Sequence, residues 1–162
     1  MKLSTIINGK EHCLEIEPND LLADVLRKAG YKSVKIGCNE GMCGCCTVQI
    51  NGKPRNSCIT MAGLAEGAEI LTVEGIGTPE TPHILQQAFV DSGSTQCGYC
   101  NPGSLLAAKA LLDSNSKPTE EDVKDALDGN LCRCTGYVKR IDAVLTAAKA
   151  AAKTKKSTRG KK

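Results

Sequence analysis

Residues 37–46 read GCNEGMCGCC, four cysteines within ten positions of a chain that has one phenylalanine and no tryptophan. Cys38, Cys43 and Cys46 stand at C-x4-C-x2-C, the spacing at which plant-type proteins present three of the four thiolates of a [2Fe–2S] cluster, the fourth coming later in the chain. Cys58 supplies that fourth thiolate if Asn51-Gly52 is the turn of a hairpin. Cross-strand partners then sum to 103, so Cys46 faces Ser57 and Cys58 returns beside it. Gly37, Gly41 and Gly44 are expected to let backbone N–H groups approach inorganic sulfide without a Cβ in the way. Structural zinc sites pair their ligands as C-x2–4-C knuckles, which this spacing matches poorly. Neighbouring side chains of an extended loop point to opposite sides, so Cys45 is expected beside the site as a small buried thiol, with Cys13 in a strand read the same way.

Working outward, the flanking segments read as a small mixed sheet. Thr5 to Ile7, Asn8-Gly9 and Cys13 to Ile16 form one hairpin pattern, and Thr47 to Ile50, Asn51-Gly52 and Lys53 to Asn56 form another, because Asn-Gly supplies the two positive φ angles of a tight turn. A helix over Leu21 to Ala29, capped by Asn19 or Asp20 and ended by Gly30, is expected between them, with a short strand at Val34 to Ile36 and a closing strand at Ile70 to Val73. The stretch from Glu74 to Pro82 is rich in Gly and Pro and lacks periodicity, which marks a linker. Helices are then expected at His83–Ser92, Gly103–Asp113, Glu120–Asp128 and from Val138 to about Ala152. His83 is expected as an exposed helix-end residue, and Thr119 to Asp122 reads as a capping box. The division is residues 1–76, a linker at 77–82, a helical domain at 83–152 and a basic, disordered tail at 153–162.

A second cysteine set, QCGYCNPG at 96–103 and GNLCRCTGY at 129–137, places Cys97 with Cys100 and Cys132 with Cys134 at helix ends. Two antiparallel helices between the sets would fold the chain back and bring the four thiols together. From spacing alone, a tetrahedral zinc site remains open here beside a second iron–sulfur cluster.

Composition sets the compartment and excludes several classes. The N-terminus has no basic stretch followed by an apolar run and a cleavage site, so the chain is read as cytoplasmic, where thiols stay reduced or bind metal rather than forming a disulfide framework. No stretch approaches the roughly 20 apolar residues of a membrane span. The net charge is +3, but residues 153–162 carry six Lys or Arg and no acid, so the body is −3 without them. A slightly acidic body with three tyrosines and one phenylalanine offers little for bases to stack on, which argues against nucleic acid as a partner. With only His12 and His83 as histidines and no nucleophile motif or phosphate loop, no substrate chemistry is expected in this chain alone.

Together GCNEGMCGCCTV, QCGYCNPG and GNLCRCTGY, in this order over nearly the whole chain, resemble the small iron–sulfur subunit of the xanthine dehydrogenase and aldehyde oxidoreductase family of molybdenum hydroxylases. The resemblance implies an α+β chain, an N-terminal ferredoxin-like β-grasp domain followed by a four-helix-bundle domain, each with one [2Fe–2S] cluster. The implied ligands are Cys38, Cys43, Cys46 and Cys58 in the first domain and Cys97, Cys100, Cys132 and Cys134 in the second. It further implies that Gln96 and Cys134 lie against the molybdenum–pterin cofactor of a large partner subunit, that a medium FAD-binding subunit completes a heterotrimer or a dimer of heterotrimers, and that this chain relays electrons between them. The family usually has alanine where this chain has Cys45. A free-standing ferredoxin-like electron shuttle is the alternative function.

Overall fold

Asn8 and Gly9 at φ 52° and 76°, and Asn51 and Gly52 at φ 50° and 75°, make the two tight turns on which the sheet is built. In the computed structural model, which describes residues 1–159, the first turn joins β1 (Lys2–Ile7) to β2 (Lys10–Glu15), and the second joins β3 (Thr47–Ile50) to β4 (Lys53–Asn56). Thr47 pairs with Asn56 and Ile50 with Lys53, the register expected from the turn. A short β5 (Glu69–Leu71) lies parallel to β1 and antiparallel to β3, giving the order β2-β1-β5-β3-β4. It stops before Thr72, whose N–H donates to Asn8 Oδ1 at 2.8 Å instead of extending the ladder. Helix α1 (Leu22–Lys28) covers the sheet, and Leu3, Ile7, Leu22, Leu26, Val48 and Ile70 form a core of aliphatic side chains.

Two secondary-structure expectations for this half do not hold. Val34 to Ile36 is not a strand: the Val34 carbonyl accepts from Arg27 Nη1 at 2.6 Å and the Ile36 carbonyl from Tyr99 OH at 2.6 Å, so side chains take the groups a ladder would need. Neither Asn19 nor Asp20 caps α1. Leu21 occupies that position without a side-chain bond, and Leu22 N–H donates to the Thr60 carbonyl at 2.8 Å. Asp20 accepts from Glu17 N–H.

The second half is built from α2 (Ile84–Asp91), α3 (Asn101–Ser114), α4 (Glu120–Leu127) and α5 (Val138–Arg159). The Thr119–Asp122 capping box forms as expected. His83 is half-buried rather than exposed. Its Nδ1 accepts from Leu85 N–H at 3.2 Å while Gln86 returns a bond to His83 N–H at 2.7 Å, so it caps α2. Leu85, Phe89, Leu105, Ala108, Val123 and Val144 form a second core. Helix α5 runs on to Arg159, past the expected end near Ala152, because Ala and Lys favour helix and the next glycine in the sequence is Gly160. The remainder of the tail lies outside the described residues. No helix among the described residues is long and apolar enough to cross a membrane.

The two halves meet along a polar seam. Leu131 N–H donates to the Cys43 carbonyl at 3.0 Å, Asn130 Nδ2 to the Gly44 carbonyl at 3.0 Å, and Gln49 Nε2 to the Leu106 carbonyl at 2.9 Å. Asn130, Thr47 and Gln49 are all buried there. Gly44, at φ 68°, has no room for a Cβ: one would strike the Gly129 carbonyl and lie 2.5 Å from Asn130 Nδ2. Its role is this close backbone approach rather than room for sulfide. Gly103, in α3, faces the same seam, where a Cβ would collide with the Gly44 carbonyl.

Gly103→Ala tests the seam. In a free helix the change favours folding by about 1 kcal/mol, but the buried collision with backbone outweighs it. Denaturant unfolding of the full chain is expected to show a net loss of about 1–2 kcal/mol, and a stabilised variant would contradict the seam's geometry.

Candidate metal centres

The loop between α1 and β3 turns its amides inward. Cys38 Sγ accepts from the N–H groups of Glu40, Met42 and Cys43 at 3.4, 3.3 and 3.4 Å, and Cys43 Sγ accepts from Cys38 N–H at 3.4 Å. These donors, that of Glu40 foremost, lower the Cys38 thiol to about 6, because N–H groups aimed at sulfur favour the thiolate. Asn56 Nδ2 braces the loop through the Gly41 carbonyl at 2.6 Å. The β3–β4 register brings Ser57 back to Cys46, with Ser57 Oγ donating to the Cys46 carbonyl at 2.6 Å. Cys58 comes to rest against Cys46, burial pushing its thiol up to about 11. The four sulfurs therefore stand as Cys38 with Cys43 and Cys46 with Cys58.

In the helical half, α3 and α4 fold the chain back and set the loop before α3 beside the loop before α5. Cys97 and Cys134 sulfurs lie 3.4 Å apart, and Cys100 and Cys132 share a hydrogen bond. Burial raises the Cys132 thiol, but the Thr135 hydroxyl and the N–H groups of Cys134 and Thr135 outweigh it and bring it to about 6. The Tyr99 N–H lowers Cys97, and the Cys97 sulfur raises Cys134. Among the described residues no group of three or more His, Cys, Asp or Glu side chains is placed to hold a single metal ion. Both quartets instead divide two by two, as ligands to two irons do, and at Cys38, Cys43, Cys97 and Cys132 backbone N–H groups face sulfur. The donor set fits a [2Fe–2S] cluster in each half.

Exposure gives the pair of sites a direction. Cys97 and Cys134 are exposed beside exposed Gln96, whereas Cys100 is buried toward the seam. Cys45 is buried, as expected, and its thiol is pushed up to about 12 by burial and by its bond with Cys43; it also feels Cys100 across the seam. Cys13 is exposed, contrary to expectation, because β2 is an edge strand and this residue lies on its solvent face.

Sequence reasoning missed the contacts that several residues make with the sites. Arg140 is 1% exposed, with Nη2 on Cys100 Sγ and Nη1 on Ser104 Oγ at 3.0 Å. Tyr137 OH accepts from Cys132 N–H at 3.3 Å. Asn130 locks the seam. The signal for Arg140 lay in helical spacing: Ala143, Val144 and Ala147 at i+3, i+4 and i+7 form a buried stripe, and an arginine in an apolar stripe calls for a buried anion.

Comparison with known proteins gives a consistent picture. Residues 5–71 match a 2Fe-2S iron-sulfur cluster binding domain and residues 72–145 a [2Fe-2S] binding domain. The nicotinate dehydrogenase small FeS subunit of Eubacterium barkeri is 51% identical over 82% of this chain and 85% of its own length. The aldehyde oxidoreductase of Megalodesulfovibrio gigas is 48% identical over 88% of this chain, which spans only 16% of that longer protein. The structure of quinoline 2-oxidoreductase from Pseudomonas putida 86 superposes with a TM-score of 0.89 at 44% identity, over 94% of this chain and 96% of the matched one.

Cys46→Ser is expected to remove the N-terminal centre's visible and paramagnetic signals, and Cys45→Ala to leave them in place. Retention of those signals in Cys46→Ser would overturn this ligand choice.

Proposed function

The chain belongs to the small iron–sulfur subunits of the xanthine dehydrogenase and aldehyde oxidoreductase family, and from that premise we propose that it relays single electrons. The relay runs between a molybdenum–pterin site in a large partner chain and a flavin-binding partner or an external acceptor. A bound [2Fe–2S] cluster supplies one-electron chemistry, one iron passing between ferric and ferrous with no bond made or broken. Cys38, Cys43, Cys46 and Cys58 hold one cluster, and Cys97, Cys100, Cys132 and Cys134 the other.

The observation that carries this reading is the order of exposure across the two sites. One edge of the helical site, Cys97 and Cys134, opens to solvent; its other edge, Cys100, is buried beside Cys45 and the N-terminal quartet. Around the open edge Tyr99, Leu131, Tyr137 and Val138 are 45%, 49%, 44% and 73% exposed, an apolar rim suited to burial against another protein. Gln96 and Cys134 on that edge face the pterin-bearing chain in this reading. Met42 and Ile59, 69% and 59% exposed, flank the N-terminal site's outer edge, where the second partner or acceptor docks. The longer aldehyde oxidoreductase, in which the matched region is 16% of one chain, supports a large neighbour for this module. A free shuttle would instead need its partner-facing rim to stay in water.

Within the chain the residues do three things. Amides of Glu40, Met42 and Cys43 hold Cys38 as thiolate. Buried Asn130 and Gln49 bind the two halves across the seam, at the close approach that Gly44 allows. Tyr99 and Tyr137 tie the cysteine loops of the helical site to backbone, through the Ile36 carbonyl and Cys132 N–H.

Native purification of the full chain under mild conditions is expected to bring with it a larger chain containing molybdenum. Rapid-freeze paramagnetic resonance on that complex after substrate addition should show the helical-domain centre reduced no later than the N-terminal one. A monomer without partners, carrying both clusters, would overturn the subunit reading in favour of the shuttle.

A further inference from the structure

Arg140 is the largest fully buried side chain among the described residues, and its charge has no carboxylate beside it. The ion pairs among the described residues engage Lys109 and Lys124 instead. Its Nη1 donates to Ser104 Oγ at 3.0 Å, and that hydroxyl in turn donates to the Cys100 carbonyl at 3.1 Å. Its Nη2 donates to Cys100 Sγ, and its Nε, also buried, has no partner. A guanidinium cannot shed its proton, so a buried one calls for an anion. The group within its reach that would carry negative charge, once bound to iron as a thiolate, is the sulfur of Cys100.

On the reading that Cys100 is a cluster ligand, we propose that Arg140 is a redox-tuning residue that biases the helical-domain centre toward its reduced state. Two ferric ions, two sulfides and four thiolates make a dianion; one added electron, delivered by the molybdenum-bearing partner or by dithionite in a titration, turns one ferric ion ferrous and makes a trianion, with no proton or bond moved. A fixed cation touching a ligand sulfur stabilises the trianion more than the dianion, and water is kept from screening it because both residues are buried. Among the described residues the N-terminal site has no counterpart, since the groups seen donating to its cysteine sulfurs are neutral backbone amides and neighbouring thiols. The two sites therefore differ in a way that the spacing of their cysteines does not encode.

Redox titration of the intact complex, followed by paramagnetic resonance, separates the two centres. Arg140→Leu and Arg140→Gln are expected to reduce the equilibrium constant for reducing the helical-domain centre at least tenfold, a fall of about 59 mV for one electron, with the N-terminal centre unmoved. Arg140→Lys, which keeps the charge, should restore most of the potential. Two unshifted potentials in Arg140→Gln, or Arg140→Lys falling as far as Arg140→Leu, would overturn the proposal while leaving cluster binding intact. A wild-type chain with no iron at Cys97, Cys100, Cys132 and Cys134 would instead remove the reading on which it rests.

Discussion

The backbone hydrogen bond from Leu131 N–H to the Cys43 carbonyl joins the two cysteine loops directly, and the rest of the architecture serves to keep it. One loop ends β3's approach and the other precedes α5, so a bond between them fixes how far apart the two quartets stand. Electron transfer by tunnelling falls off exponentially with separation, and a relay therefore depends on this spacing more than on the shape of either domain. Gly44 and Gly103 permit the approach, Asn130 locks it at 3.0 Å, and Gln49 reaches across to α3. These are buried polar contacts whose partners are mostly backbone, so they specify one docking geometry where an apolar interface would tolerate slip.

Two small cores flank that seam, and both are poor in aromatic residues. Leu3, Ile7, Leu22 and Val48 on one side and Leu85, Ala108, Val123 and Val144 on the other bury modest area each, so ligation adds to the folding free energy as it does in other small metal-binding domains. The thiols are prepared for it unequally. Amides hold Cys38 low and keep Cys132 low against its burial, whereas buried Cys45 is held high and stays a neutral thiol at physiological pH. Cys45 and Cys46 are adjacent in sequence but differ in partner, one turned to Cys43 and the seam, the other to Cys58.

Much of this was legible from the sequence because it rested on local chemistry. Asn8-Gly9 and Asn51-Gly52 dictate tight turns, the second turn fixes the register that returns Cys58 to Cys46, and helix ends at Cys97 and Cys132 make their convergence a matter of folding two helices back. What escaped depended on contacts distant in the chain. Val34 to Ile36 has strand composition, but Arg27 and Tyr99 take its carbonyls. Gly44 looks like a residue freeing space for sulfide until the Gly129 carbonyl is seen against it. Cys13 looks buried until β2 proves to be an edge. Arg140 interrupts an apolar stripe, and only the position of Cys100 explains its burial.

The central claim is that two one-electron centres lie close together across the seam between Cys43 and Leu131. Low-temperature paramagnetic resonance of the fully reduced complex tests it most directly. The account predicts two distinct iron–sulfur signals, each integrating to one spin per chain and each broadened or split by the other. A single signal, or two that keep the line shapes of isolated centres when both are reduced, would contradict it.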